Sequence, residues 1–421
     1  MITISHPYIE NRGDKSFLIS KIKDENRSLD SDLWFSVDEE YKDYLCDDYA
    51  DCFLVCLLLI AIKTEQDIKV DAPISRKLLF NIQNTLLPLF MNIFAPPTQR
   101  VIKINAEAKD DILYKAKGVG CGCSLGVDSL SSFLKHFGDD VMEGYKVTHL
   151  TLFNSGQLGD YDLEGAEENF RKSVEELKPF SEAVNLPVLA INSNLNSFYR
   201  YSGVSLLQSF VNRTICCALA LQKLFGKYIY ASSYTIKQFT FSTIDQSHME
   251  SAYASLLGTD NMELILSNPM LTRVEKTEFI SKSPLTPRFL QVCWAEQTAL
   301  EVWHNTTFLE GKTKKNCGWC DKCLRTLLTL EVLGCNLEEY GDQFELSKYY
   351  EHRNKYIEKV FKEYKSNIFY EEMVDLMIAR NYTLSPKVRR IYKWSVTKER
   401  IKVLAKKVIR NINYKLKGLF K

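Results

Sequence analysis

The feature that most restricts this chain is a regular alternation between residues 117 and 270. Short apolar runs at Val119–Cys123, His149–Asn154, Pro187–Asn192, Tyr228–Ala231 and Glu263–Leu266 are separated by helical patterns over Ser129–His136, Gly165–Lys178 and Ser205–Phe225. A run of four to six apolar residues bounded by polar turns suits a strand covered on both faces, and strands returned by helices pair in parallel. The expected fold class is α/β, with a parallel five-stranded sheet and helices on both faces. In such sheets ligands bind beyond the carboxyl ends of the strands.

The flanks differ from this middle. Residues 1–116 read as an α+β region, with strands at Ser16–Ile22 and Leu33–Val37 followed by helices at Asp51–Lys63 and Ser75–Phe94. Ala95-Pro96-Pro97 ends the second helix, because proline lacks the N–H donor and clashes in a helix interior. Residues 117–340 form the expected α/β domain, and 341–421 a helical C-terminal extension. From Lys387 onward thirteen Lys or Arg face one acid, Glu399, so a local charge of +12 sits in a chain whose total is +1. Ile401, Leu404, Val408, Ile412, Leu416 and Leu419 recur there at helical spacing, which predicts a basic amphipathic helix. Three roles stay open for it: packing on the acidic remainder of the chain, contact with an anionic membrane surface, and nonspecific nucleic-acid binding.

No stretch reaches the roughly 18 apolar residues of a membrane span. The N-terminus has no charged segment leading into an apolar one, so no secretion signal is expected. The 12 cysteines are unevenly placed, unlike a secreted disulfide framework, and a reducing cytoplasm is the expected location.

Two local patterns carry chemistry. The run Ser124-Leu125-Gly126-Val127-Asp128-Ser129 lies between an apolar strand and a helix. A loop there can aim backbone N–H groups and the helix dipole at a phosphate. Ser124 and Ser129 can donate to phosphate oxygens, and Asp128 can hold Mg²⁺. The plainer alternative is a strand-to-helix turn in which Asp128 or Ser129 caps the helix. The second pattern is Cys317-Gly-Trp-Cys320-Asp-Lys-Cys323, where three thiolates can converge on one tetrahedral ion. Cys293 is the expected fourth ligand of a closed, structural Zn²⁺ site. His304 competes for that place, and an iron–sulfur cluster is the other use of such cysteines.

The loop resembles the Ser-Gly-Gly-x-Asp-Ser loop of PP-loop ATP pyrophosphatases, with Leu125 standing where that family has its first glycine. The cysteine pattern, with Arg325 after it, is similar to that of 7-cyano-7-deazaguanine synthases, which are PP-loop enzymes with a zinc site after the last strand. Both motifs occur in the family's order, and the resemblance covers about Lys117 to Leu333. It implies a PP-loop, HUP-like fold, ATP, Mg²⁺ and Zn²⁺ as cofactors, and a cytoplasmic ligase. It also implies a pyrophosphate role for Lys276, a weaker one for Arg273, and adenine recognition by the backbone at Phe153 and Asn154.

Ser232, Ser233 and Tyr234 end the fourth strand on the expected ligand side, and Gln246–Met249 follow in a polar loop. This stretch is expected to line the acceptor pocket, with His248 as general base, since a histidine titrates near neutrality. Arg213 faces an anion or an acid. The reaction implied by the resemblance has a substrate carboxylate attack the α-phosphorus of ATP, releasing pyrophosphate. A protein or small-molecule amine then displaces AMP. Asp128, Lys276 and His248 are the catalytic candidates. Two readings compete: an RNA-modifying, thiolating enzyme with Cys121 or Cys123 near the loop, and a non-catalytic nucleotide-binding zinc scaffold. The nearly neutral remainder of the chain argues against nucleic acid as partner. A homodimer is an open arrangement.

Overall fold

The computed structural model describes every residue except 28, 97, 112–113, 159–164, 294–312, 399–405 and 407–421. The chain opens with strands β1 (Ile2–Ile4), β2 (Tyr8–Arg12), β3 (Lys15–Asp24) and β4 (Leu29–Asp38). Antiparallel pairing of β3 with β4 runs over the whole of both strands, from Lys15↔Asp38 to Asp24↔Leu29. Helix α1 (Asp51–Lys63) is buried from Asp51 to Ile62, as its sequence of almost unbroken apolar residues demands. Strands β5 (Ile68–Val70) and β6 (Ile74–Ser75) lead to α2 (Arg76–Asn81) and α3 (Leu87–Phe94). The expected helix over Ser75–Phe94 thus has a widened turn, Ile82–Leu86, between its halves. Pro88 lies just beyond; its ring would meet the carbonyl four residues back in a regular helix, and widening relieves that clash. Short strands β7 (Ile104–Asn105) and β8 (Ala108–Lys109) complete this region.

The alternating middle folds as β9 (Gly118–Gly122), α4 (Val127–Lys135), β10 (His149–Phe153), α5 (Ala166–Val184), β11 (Val188–Ser193), α6 (Leu195–Tyr201), α7 (Leu206–Leu219), β12 (Phe225–Ala231), α8 (Glu250–Tyr253) and β13 (Glu263–Ser267). All five predicted strands are present and pair in parallel, in the order β11-β10-β9-β12-β13. The first strand is central, and the chain leaves it to one side for β10 and β11 and to the other for β12 and β13. Such a reversal opens a crevice at the carboxyl end of the central strand. Helix α4 packs on β9 and β12, α5 on β11, and α7 on α1.

The expectation of a five-stranded sheet is corrected. The parallel strands are part of a mixed, eleven-stranded sheet among the described residues, because β4 pairs antiparallel with β11. Residues 1–116 thereby share one sheet and one core with the middle region. The joint is short, Asn192↔Ser36 and Ser193↔Phe35, and Asn194 extends it with its side chain. Its Oδ1 accepts the Trp34 N–H at 2.9 Å and its Nδ2 donates to the Asp32 carbonyl at 2.7 Å.

Two compact units result, one built on Met1–Leu271 and a second that begins at Thr272. The second contains α9 (Arg273–Ser281), α10 (Leu285–Phe289), α11 (Asp321–Val332), α12 (Leu346–Lys362) and α13 (Ile368–Ala379), with residues 386–398 also helical. Glu331 on α11 ties these helices together by accepting from Tyr349 Oη, Arg353 Nη1 and Tyr382 Oη. The predicted amphipathic helix from Ile401 lies outside the described residues, apart from position 406. Among the described residues no helix is long and apolar enough to cross a membrane.

Replacing Asn194 by Ala removes two hydrogen bonds at the joint between β4 and β11. A loss of about 1–3 kcal/mol is expected. Chemical denaturation checks it, and a single transition by fluorescence and far-ultraviolet dichroism is expected for the shared core of the first unit.

Candidate functional site

In the first unit, the loop that follows β9 sits at the carboxyl end of the central strand, where the sheet reverses. The Cys123 N–H donates to the Thr151 carbonyl at 2.9 Å, holding the loop's start against β10. Leu125 then adopts a left-handed backbone with φ 57°, the conformation that glycine takes most readily. Its side chain is buried, so apolar burial offsets a backbone cost of about 1–2 kcal/mol. Gly126 is extended, with φ −77° and ψ 171°, and precedes α4 without a side-chain cap.

Along the loop burial alternates. Cys123, Leu125, Val127 and Ser129 turn inward, whereas Ser124 is exposed and Gly126 and Asp128 are half-buried. Ser129 Oγ donates to the Gly126 carbonyl at 3.2 Å and lies 3.1 Å from Ser124 Oγ. The result is a strand–loop–helix turn with two hydroxyls in mutual contact and an acid in the first helical turn. It has the chemistry of an anion cradle. Cys121 and Cys123 are buried. Burial pushes the Cys121 thiol up to about 12 and raises that of Cys123 further, so both stay protonated near neutral pH.

At the end of β10, much of the predicted adenine-reading backbone is engaged within the fold. The Phe153 carbonyl accepts from Gln157 Nε2 at 3.2 Å. The Asn154 N–H donates to the Ile191 carbonyl at 2.8 Å, and its carbonyl accepts from Ser193 Oγ at 2.8 Å. Arg213, 1% exposed, stacks its guanidinium 4.1 Å from the Tyr199 ring centroid and donates to Ser209 Oγ, the Ser155 carbonyl and Asn196 Oδ1. It clamps the β10 turn to α6 and α7, a role invisible in the sequence.

At the end of β12 the predicted acceptor stretch divides. Ser232, Gln246, Ser247 and Met249 are buried. Gln246 Oε1 accepts the Val211 N–H at 3.0 Å and serves the fold. Ser233, Tyr234 and His248 are half-buried. The Tyr234 and His248 rings stack with centroids 3.9 Å apart and planes 17° from parallel. Tyr234 Oη donates to Asp245 Oδ2 at 3.3 Å, and the Ser233 N–H donates to Glu250, a residue the sequence reading missed.

In the second unit, α9 starts with a capping box. Thr272 Oγ1 accepts the Glu275 N–H at 3.2 Å, and Glu275 Oε2 accepts the Thr272 N–H at 2.7 Å. Lys276 is 1% exposed in the next turn. Glu372 Oε2 accepts the Arg273 N–H at 3.0 Å, so a carboxylate already lies at the positive end of this helix. Arg325 and Arg273 both lie against the Phe369 ring, 4.2 and 5.4 Å from its centroid.

The four predicted cysteines come together. The sulfurs of Cys293, Cys317, Cys320 and Cys323 all lie within 4.8 Å of one another, and Cys317 Sγ is 3.9 Å from Cys323 Sγ. Four thiolates at about 2.3 Å from a tetrahedral zinc stand about 3.8 Å apart, so the set fits one such ion. An iron–sulfur cluster spreads its thiolates over several irons and needs a wider set. The Cys320 and Cys323 N–H groups point at Cys317 Sγ and Cys320 Sγ, at 3.3 and 3.5 Å, and favour thiolates there. Mutual hydrogen bonding among the crowded thiols lowers the pKa of Cys293 and raises that of Cys323. Gly318, at φ 80°, makes the turn possible, since a Cβ would come 2.2 Å from the Glu345 carbonyl oxygen. Fully buried Asn316 holds the distant ligand in place. Its Oδ1 accepts the Val292 and Cys293 N–H groups at 2.7 and 3.0 Å. His304, the competing ligand, lies outside the described residues.

Compared with known proteins, the chain matches no family model, no curated protein and no solved structure. Fold and site by themselves define an α/β protein with a strand–loop–helix turn at the reversal point of its parallel sheet. A four-cysteine cluster in the second unit could hold a metal ion such as zinc.

Two outcomes follow. Leu125→Gly is expected to be more stable than Leu125→Ala by about 1 kcal/mol, since only alanine keeps the left-handed strain once the leucine contacts are gone; thermal unfolding of the pair measures it. Cys317→Ser should lower bound zinc from about one ion per chain to near zero and lower the melting temperature of the second unit. Metal analysis and calorimetry read these out.

Proposed function

We propose that this chain is an ATP-dependent ligase of the PP-loop pyrophosphatase type, which adenylylates a carboxylate and transfers the acyl group to an amine. One observation carries the reading. Leu125, at the position where the family's loop has its first glycine, has a left-handed backbone, the conformation that glycine adopts most readily. The position of that loop, at the reversal point of a parallel sheet, supports the same reading.

In this reading the N–H groups of the loop and α4, with the hydroxyls of Ser124 and Ser129, receive the phosphates of ATP. Asp128 would hold the Mg²⁺ that neutralises them. The substrate carboxylate attacks the α-phosphorus, the bond to the bridging oxygen breaks, and pyrophosphate leaves with the electron pair. The resemblance assigns the negative charge on that leaving group to Lys276. The amine then attacks the acyl carbon and loses a proton to His248, while AMP departs. A 7-deazaguanine acid is the carboxylate suggested by the resemblance, and a protein or small-molecule amine is the acceptor. Zinc on Cys293, Cys317, Cys320 and Cys323 would brace the second unit, because four thiolates leave no position open for water. The thiolating reading loses ground, since Cys121 and Cys123 are buried and out of reach of an RNA substrate.

The test is release of AMP and pyrophosphate from ATP by zinc-loaded protein, with and without 7-carboxy-7-deazaguanine. Stimulated release is expected, with a fall of about a hundredfold or more in Asp128→Ala. Release that RNA and not the acid stimulates would favour the RNA-modifying reading. No ATP binding at all would sink the ligase.

A further inference from the structure

The helix over residues 386–398 commits one side to the second unit. Val388 and Ser395 are each 4% exposed, and Ser395 Oγ donates to the Phe361 carbonyl at 2.9 Å. Tyr392 packs edge-on against Phe361 and Tyr364, with ring centroids 5.5 and 5.6 Å away. Trp394 is left outside this contact. It is 58% exposed, and Lys398 Nζ lies 5.0 Å from its ring centroid. Arg390 and Lys398 stand one turn before and one turn after it, and both are exposed, as is Lys393. Lys387 pairs with Glu358 at 2.7 Å, whereas Arg390, Lys393 and Lys398 pair with no acid among the described residues. This side joins a large aromatic ring to unpaired cations.

The sequence beyond carries the Trp394 side onward. An α-helix repeats about every 3.6 residues. Ile401, Val408 and Ile412 follow Trp394 by 7, 14 and 18 residues, each close to a whole number of turns. Leu404, Leu416 and Leu419 complete the stripe. The packed side changes character instead. Lys402 and Lys406 follow Ser395 by 7 and 11 residues, and Lys406 is helical and exposed. An apolar stripe on the register of Trp394 does not extend the packing of Val388, Tyr392 and Ser395.

That register separates the three roles left open for the basic stretch. Packing on the second unit would put the stripe on the Ser395 side. Nucleic acid takes its affinity from cations set against phosphates and has no use for a row of aliphatic side chains. An anionic membrane surface uses both parts. Cations meet the lipid phosphates, an apolar stripe sinks to the boundary of the acyl chains, and tryptophan settles at the interface between them. From Lys387 onward thirteen cations stand against Glu399 alone. We propose that the Trp394 side of this helix, with the apolar stripe that continues it in sequence, docks the protein on an anionic lipid surface. The inference goes beyond the ligase reading and does not depend on it.

The experiment is co-sedimentation of the full-length, zinc-loaded protein with two kinds of vesicle. One is phosphatidylcholine alone, and the other is phosphatidylcholine and phosphatidylglycerol in equal parts. The anionic vesicles are expected to bind at least about tenfold more tightly, and added salt should weaken that binding. Replacing Arg390 and Lys398 together by Gln should weaken it about tenfold or more, and Ile412→Asp by a similar factor. Thermal unfolding matched to the wild type shows that the variants fold. Lipid brominated along its acyl chains should quench tryptophan fluorescence. Trp394→Phe should remove that quenching while keeping affinity within about threefold, a result that misfolding cannot mimic. Equal affinity for the two kinds of vesicle, or no binding to either, overturns the inference. Binding with no quenching and an unaffected Ile412→Asp also overturns it, because charge alone then holds the protein. Tighter binding of single-stranded RNA or of polyglutamate than of anionic vesicles overturns it too, and assigns the cations to that partner.

Discussion

The structure depends on two aromatic rings lying across a strand that has no side chains on one face. Gly118 and Gly120 of β9 face β12, where a Cβ at Gly118 would come 2.5 Å from the Leu224 carbonyl oxygen and one at Gly120 would come 2.9 Å from Tyr228 Cδ2. Glycine normally weakens a strand interior, and here it is the condition for close approach. Tyr228 uses the space to reach Thr151 on β10, Oη to Oγ1 at 2.9 Å, and stacks on Phe153 with centroids 5.6 Å apart. One side chain of β12 thus crosses β9 to grip β10. That grip fixes the central strand at the point where the chain turns to either side, and it places the loop after Gly122.

The loop and the cysteine turn solve the same backbone problem with different residues. Each needs one residue in the left-handed region. Gly318 takes it at no steric cost, with the Glu345 carbonyl pressed where a side chain would be. Leu125 takes it against its preference and is held by burial of its side chain. The first turn is rigid because nothing larger than glycine fits. The second is rigid because an apolar anchor keeps it closed, so packing and not backbone freedom sets the loop's shape.

Much of this was legible in the chain. Apolar runs bounded by polar turns marked all five parallel strands, since a strand covered on both faces is mostly apolar. The spacing of Cys317, Cys320 and Cys323 marked the cluster, and Cys293 was the nearest upstream thiol. Sheet width was not legible, because β4 and β11 are joined by backbone pairing at two residues, and backbone pairing leaves little trace in residue type. The second unit's Glu331 and Glu372 were equally silent, as an acid that binds tyrosines or a helix end reads like any surface acid. Asn316, Arg213 and Glu250 do their work through neighbours far away in sequence. Gln246 misled because a polar residue in a polar stretch suggests a pocket, whereas here it satisfies a buried helix.

The joint between β4 and β11 also governs how the protein must be made. Phe35 meets Ser193, more than 150 residues later, so β4 emerges from the ribosome long before its partner. At typical synthesis rates the wait is roughly 10–30 seconds. Throughout that time a ten-residue strand, already paired on one side with β3, offers its other edge to any extended chain nearby. Asp30 and Asp38 along that strand form ion pairs with Lys21 and Lys15 of β3, so charge along the waiting pair is balanced.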